Sequence, residues 1–327
     1  MRNRGNLGRS IIGAAAALGL TMVVSGVGAA QGGTVKIAVN PWVGSEADYA
    51  VLASVMQDKL GLTVERVDID ENLAWQGFGT GEIDVIPEVW GHDTDRATYI
   101  DQQHVAQDAG LMGVNGTIGW YVPGWMAEKY PDITDWHNLN KYADLFKTSE
   151  SGDKGQFLLG DPSYVSNDAA IIKNLGLNYT VVAGGSESTL IAELKQATDQ
   201  KTPLLAYFYD PQWALSQPPL VDHPLVKINL PTWTPACPTG DAWNCDYQPF
   251  PLWKAVSTTF AQSGGPAYDL VRNFTLSNLD QSTIAAYISN DNMDPLDAAR
   301  KWIDANPDKV AAWLAPAGSP VPSASTP

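Results

Sequence analysis

The sequence predicts an α/β protein of two lobes about a ligand cleft, on three observations. Short apolar runs at 35–39, 63–67 and 83–89 alternate with segments of helical period, the rhythm of strands joined by crossover helices. Several such runs lead into an aromatic residue: 35–39 into Trp42, 83–89 into Trp90, 157–159 into Tyr164 and 204–208 into Tyr209. Two further runs, 117–122 and 225–230, are placed to carry the chain out of a first lobe and back into it.

Each element has a local reason. Residues 35–39 form a strand and 40–45 a turn. Ser45 is an N-cap for a helix through about residue 60, with Glu46 and Asp48 in the first turn complementing its dipole. Gly61 stops that helix. Residues 63–67 are the next strand and 73–78 a short helix closed by Gly79-Thr80-Gly81. Residues 83–89 are a buried strand, so the order β-α-β-α-β implies a mainly parallel sheet with helices on both faces. The strand 117–122 ends at Pro123-Gly124, and 125–147 is helical and looped, with Trp136 and Leu139 as core anchors. A second βα unit opens at 157–159, with helices near 167–175 and 188–197 and a strand at 204–208. Helices near 266–274, 282–289 and 294–305 follow the return strand. Lobe 1 is expected to hold 34–119 plus 226–314, and lobe 2 to hold 120–225.

The chain has 327 residues, of which 44% are hydrophobic, ample for one large or two medium domains. A formal charge of −16 argues against nucleic acid, which needs a basic footprint, and against docking on an anionic membrane. Arg2, Arg4 and Arg9, the apolar stretch 11–24 and Val27-Gly28-Ala29-Ala30 read as a secretory signal over 1–30, and hence as periplasmic or extracellular export. An uncleaved anchor is the alternative. Residues 315–327 form a Pro/Ser/Ala tail expected to be disordered. Cys237 and Cys245 are the only cysteines, and in an oxidising compartment they predict a disulfide. A metal site needs more ligands than their surroundings offer.

In open α/β sheets the ligand crevice lies beyond the carboxyl ends of the strands. Aromatics converging there present several π faces to one small ligand. That geometry holds a quaternary ammonium ion, which has no N–H to donate. A ligand carboxylate needs donors, and Gly44 and Ser45 supply free backbone N–H groups at the start of the first helix. Ser163 and His92 are further donors. A ligand alcohol needs an acceptor instead, and Glu46, Glu88, Asp161 and Asp210 lie near the expected crevice.

These residues resemble the glycine betaine/choline-type substrate-binding proteins of ABC importers. The most specific piece is Glu71-Asn72-Leu73-Ala74-Trp75-Gln76-Gly77-Phe78-Gly79-Thr80-Gly81-Glu82-Ile83-Asp84-Val85-Ile86-Pro87-Glu88-Val89-Trp90. A short helix, a Gly-Glu-x-Asp turn and a strand ending in tryptophan occur there in the family's order. The opening strand to Trp42, the run Gly119-Trp120-Tyr121-Val122-Pro123 and the run Ala206-Tyr207-Phe208-Tyr209-Asp210-Pro211 also fit, and the resemblance covers about 34–314. It implies a type II periplasmic-binding fold and an aromatic cage of Trp42, Trp90, Tyr164 and Tyr209. Two of these are tyrosines where some members carry tryptophans. It also implies a monomeric receptor that hands glycine betaine, proline betaine, choline or carnitine to a membrane permease, without a cofactor.

An enzyme is the less favoured class. The four histidines form no HExxH pair, and the chain has no GxSxG, P-loop or GxGxxG. Aromatic clefts also hold sugars, so a sugar-binding or sugar-cleaving secreted protein is the rival reading.

Overall fold

The computed structural model describes residues 33–315. The expected signal 1–30 and the expected tail beyond Ala315 lie outside the described residues. The described residues form nine strands: β1 (Thr34–Val39), β2 (Thr63–Asp68), β3 (Val85–Val89), β4 (Ala106–Val122), β5 (Gly155–Leu159), β6 (Tyr179–Ala183), β7 (Ala206–Asp210), β8 (Val226–Lys227) and β9 (Phe250–Ser257). Their order is β2-β1-β3-β9-β4-β7-β5-β6, with β8 paired to β4.

The path contains two sheets that share one strand. β4 is 17 residues long. Its first part, Ala106 to Gly116, runs antiparallel to β9. From Thr117 to Tyr121 it runs antiparallel to β7. The chain therefore changes sheets near Gly116, where the sequence predicted only the strand 117–122. The parallel pairs expected from the crossover rhythm are present: β1 with β2 and β3, and β5 with β6 and β7. The middle differs from the expectation. β9 and β4 insert antiparallel partners, so the whole is mixed rather than mainly parallel. The expected return strand 225–230 is reduced to the two residues of β8.

The helix α1 (Val43–Leu60) starts directly after Trp42, its N-cap residue. It is buried on more than one face from Val43 to Met56. The helices Asn278–Ser289 and Pro295–Ala305 pack on it from outside the sheet, which is why its sequence shows no single apolar stripe. Its start has no cap from its own side chains, because the N-cap position is Trp42 rather than the expected Ser45. Gly61 ends it as predicted, at φ +66°, with its N–H on the carbonyl of Gln57. A shorter helix, α2 (Glu71–Thr80), starts at Asp70, whose carboxylate accepts from Asn72 N.

Trp75, Trp302 and Trp313 are buried in the core, whereas Trp136, expected as a core anchor, is half-buried and stacks on His137. Lys254 on β9 is wholly buried. Its ammonium donates to the carbonyls of Arg272 at 3.0 Å and Phe274 at 2.5 Å, satisfying the end of the helix Pro266–Asn273. Burial pulls its pKa down to about 7. The disulfide Cys237–Cys245 is present. Among the described residues no helix is long and apolar enough to cross a membrane.

Candidate functional site

The carboxyl ends of β1 and β3 from one sheet face the ends of β5 and β7 from the other. Each end delivers an aromatic side chain. Trp42 follows β1, Trp90 follows β3, Tyr164 sits in the loop after β5, and Tyr207 and Tyr209 lie on β7. All five are buried, and they line one cavity together with Glu71, Ile118 and Val165. The space between atoms there is about 270 Å³, part of it open to solvent.

The rings meet as adjoining walls of a box. Trp42 and Tyr164 have centroids 5.8 Å apart at 81°. Trp90 and Tyr209 are 5.8 Å apart at 78°, and Tyr164 and Tyr209 6.1 Å apart at 85°. Edge-to-face neighbours stabilise each other through their quadrupoles and leave other faces free for a cation. Trp90 is held in place by Gly116, at the sheet change in β4. A Cβ there would stand 2.3 Å from the indole. After Trp90 the chain turns sharply through two left-handed residues, Gly91 at φ +77° and His92 at φ +59°.

A buried carboxylate orients both tryptophans. Glu88 accepts from Trp42 Nε1 at 3.1 Å and from Trp90 Nε1 at 2.6 Å, using one oxygen for each. Beside it lies Asp48, near enough to feel its charge, with Gln281 Nε2 donating to its Oδ2 at 2.9 Å. Burial and then the charge of Glu88 raise Asp48 well above the usual carboxylate range. Burial also raises Glu88, against the opposing bonds from Asp48, Trp90 and Trp42. A proton on Asp48 would relieve the repulsion between the two acids. Asp48 Oδ1, which has no other donor, is the oxygen placed to carry it.

Glu71, the first residue of α2, is the one acidic side chain in the cavity wall. Its Oε1 is 3.0 Å from His92 Nε2, and His92 Nδ1 is 2.7 Å from Asp95 Oδ2. Both ring nitrogens of His92 are therefore engaged, and the ring stands behind Glu71 instead of lining the cavity. Burial disfavours the charged ring, but the bonds to Asp95 and Glu71 outweigh it and lift the pKa to about 9 from 6.5. The sign follows from a folded value above the unfolded one. The stabilisation is complete below 6.5 and is lost as pH rises through 9. Over that window the wild type should lose up to about 3 kcal/mol from this group, at ~1.4 kcal/mol per pKa unit. His92→Gln should show a flatter melting-temperature profile over the same window. An unchanged slope would remove His92 as its source.

Family comparison agrees with the geometry. A model of the OpuAC family, the substrate-binding domain of ABC-type glycine betaine transport systems, matches residues 33–305. The chain belongs to this family. A trimethylamine N-oxide-binding protein of Pelagibacter ubique is 25% identical over 267 residues, which are 76% of this chain and 81% of that protein. Among solved structures, an ABC-transporter choline-binding protein in complex with choline superposes with a TM-score of 0.69 at 18% identity, covering 86% of this chain and 91% of that one. Lactococcal OpuAC, closed on glycine betaine, gives 0.66 at 18% identity, covering 86% and 99%. The last two show the two-lobed periplasmic-binding fold.

Within this OpuAC-family fold, the four aromatics singled out in the sequence meet at one cavity. Tyr207 and Glu71 join them and were missed. Tyr207 had a signal, because residues two apart on a strand share a face and Tyr209 was already chosen. Gly44, Ser45 and His92 are not in the wall. Ser45 Oγ accepts from Asn40 N at 3.0 Å. The amide of Val43, at the start of α1, donates to Glu187 Oε2 at 3.0 Å. The place expected to receive a ligand carboxylate thus holds a carboxylate of the protein.

Proposed function

We propose that the ring box of Trp42, Trp90, Tyr164, Tyr207 and Tyr209 receives the methylated head of a quaternary ammonium ligand. The observation that supports it is one cavity lined by electron-rich rings from both sheets. Each ring over a desolvated cation contributes roughly 0.5–2 kcal/mol, so the five give about 2.5–10 kcal/mol gross. With apolar contact to Ile118 and Val165, this suits affinities near the micromolar range once ordering costs are subtracted. The relatives' ligands, trimethylamine N-oxide, choline and glycine betaine, share a nitrogen bearing three methyl groups. No step of chemistry is assigned to the site. Its work is selection, followed by delivery of the ligand to the permease of an ABC importer.

The same proposal takes the protein as an exported monomer whose lobes, 34–119 plus 226–314 and 120–225, part to admit ligand and close on it. Calorimetry with choline, trimethylamine N-oxide, glycine betaine and carnitine, beside a panel of neutral sugars, tests the reading. At least one methylated onium compound should bind in the micromolar range or tighter. Binding of sugars alone would overturn it.

A further inference from the structure

We infer that Glu187 sets the specificity of the site, restricting it to methylated onium ligands that carry no carboxylate. This rests on the ring box being the head-group site. Glu187 opens the helix Glu187–Gln200 on the side of the second sheet. Its Oε2 accepts from Val43 N, across the cleft, at the first residue of α1. Its Oε1 accepts from the hydroxyl of Tyr209, a wall of the box, and from Gln212 Nε2 at 2.7 Å. The carboxylate is thus fixed between the box and the start of α1. A helix start is the usual seat for a ligand anion, and here the protein supplies the anion.

The surrounding charge points the same way. A groove next to the box shares Trp42 with it and is lined by Glu46, Asp68, Asp70, Asp161 and Glu187. Among the described residues Arg66 is the only cation lining either space, and Glu46 and Asp68 already hold it. Glu71 adds a further acid in the box wall, and the charge of His92 is committed to Glu71 and Asp95. A cation entering this field is drawn in. A ligand carboxylate meets like charge, with no unpaired basic side chain in either lining to receive it. Glu71 suits a ligand hydroxyl, which donates, better than a ligand carboxylate, which only accepts.

The test is calorimetry on wild type, Glu187→Gln and Glu187→Ala with tetramethylammonium, choline, trimethylamine N-oxide and glycine betaine, with a melting curve for each variant. Wild type should bind choline about tenfold or more tighter than glycine betaine. Both variants should narrow that ratio, mainly by gaining betaine affinity. The choline and N-oxide arms separate a hydroxyl-bearing cation from an N-oxide. Glycine betaine binding as tightly as choline to wild type overturns this inference and leaves the ring box standing. A ratio unchanged in a folded variant overturns the role of Glu187. Binding of none of the four compounds overturns the ring box, and this inference with it.

Discussion

Trp90→Ala should weaken binding of the onium ligand by about tenfold to a hundredfold, measured by calorimetry at constant salt. The lower bound is the loss of one desolvated cation–π contact, roughly 0.5–2 kcal/mol. The larger loss comes from the neighbours. Trp90 is in edge-to-face contact with Tyr209 and packs on Phe250, so its removal frees a wall of the box contributed by the other sheet. It also deprives Glu88 of its 2.6 Å indole donor. Trp90→Phe should fall between the two, because it keeps a π face and loses the N–H. Gly116→Ala should act like the alanine variant without deleting any ring, since its Cβ would stand 2.3 Å from the Trp90 indole. A loss below about twofold for Trp90→Ala would remove this ring from the site, given that even a weak contact is worth more than that.

Parts of this site could be read from the chain because their signals are local. A buried strand followed by an aromatic is a one-dimensional pattern, and Trp42, Trp90, Tyr164 and Tyr209 all showed it. Gly61 as the stop of α1 was equally local, because a left-handed C-terminal residue favours glycine whatever surrounds it. β9 and the first part of β4 were not legible. β9 contains Pro251 and Lys254, and β4 contains Gly110, Gly113, Asn115 and Gly116, residues depleted in strands. Pairing between segments about 140 residues apart overrides those preferences. The role of Glu187 was hidden for the same reason. Its bond to Val43 joins positions 144 residues apart, so nothing near Val43 announces that the helix start is filled. Glu88 lies between these cases. It was visible as one of four acids near the expected crevice, where it stood as an acceptor for a ligand alcohol. The fold turns it away from that task and gives its two oxygens to the indoles.

Glu88→Gln should therefore weaken ligand binding about tenfold or more, although the residue is not in the cavity wall. The carboxylate accepts from two indoles at once. The amide keeps one acceptor oxygen and turns an NH2 toward the second indole, leaving a buried donor facing a donor. One tryptophan must lose its anchor, at a cost of roughly 1–3 kcal/mol, and its ring orientation relaxes. The pH dependence makes the test specific. Glu88 is lifted from 4.5 to about 7 in the folded protein, and Asp48 is raised with it. The titration belongs to the pair. Between 4.5 and about 7 the folded state binds more protons than the unfolded state, so the pair's contribution to stability falls as pH rises through that window. Glu88→Gln removes the charge that raises Asp48, so the melting temperature of the variant should change less with pH across the same window. Weaker binding with an unaltered slope would leave Glu88 as an anchor but deny the proton on Asp48. Unchanged binding would show that the two indoles hold their orientation without it.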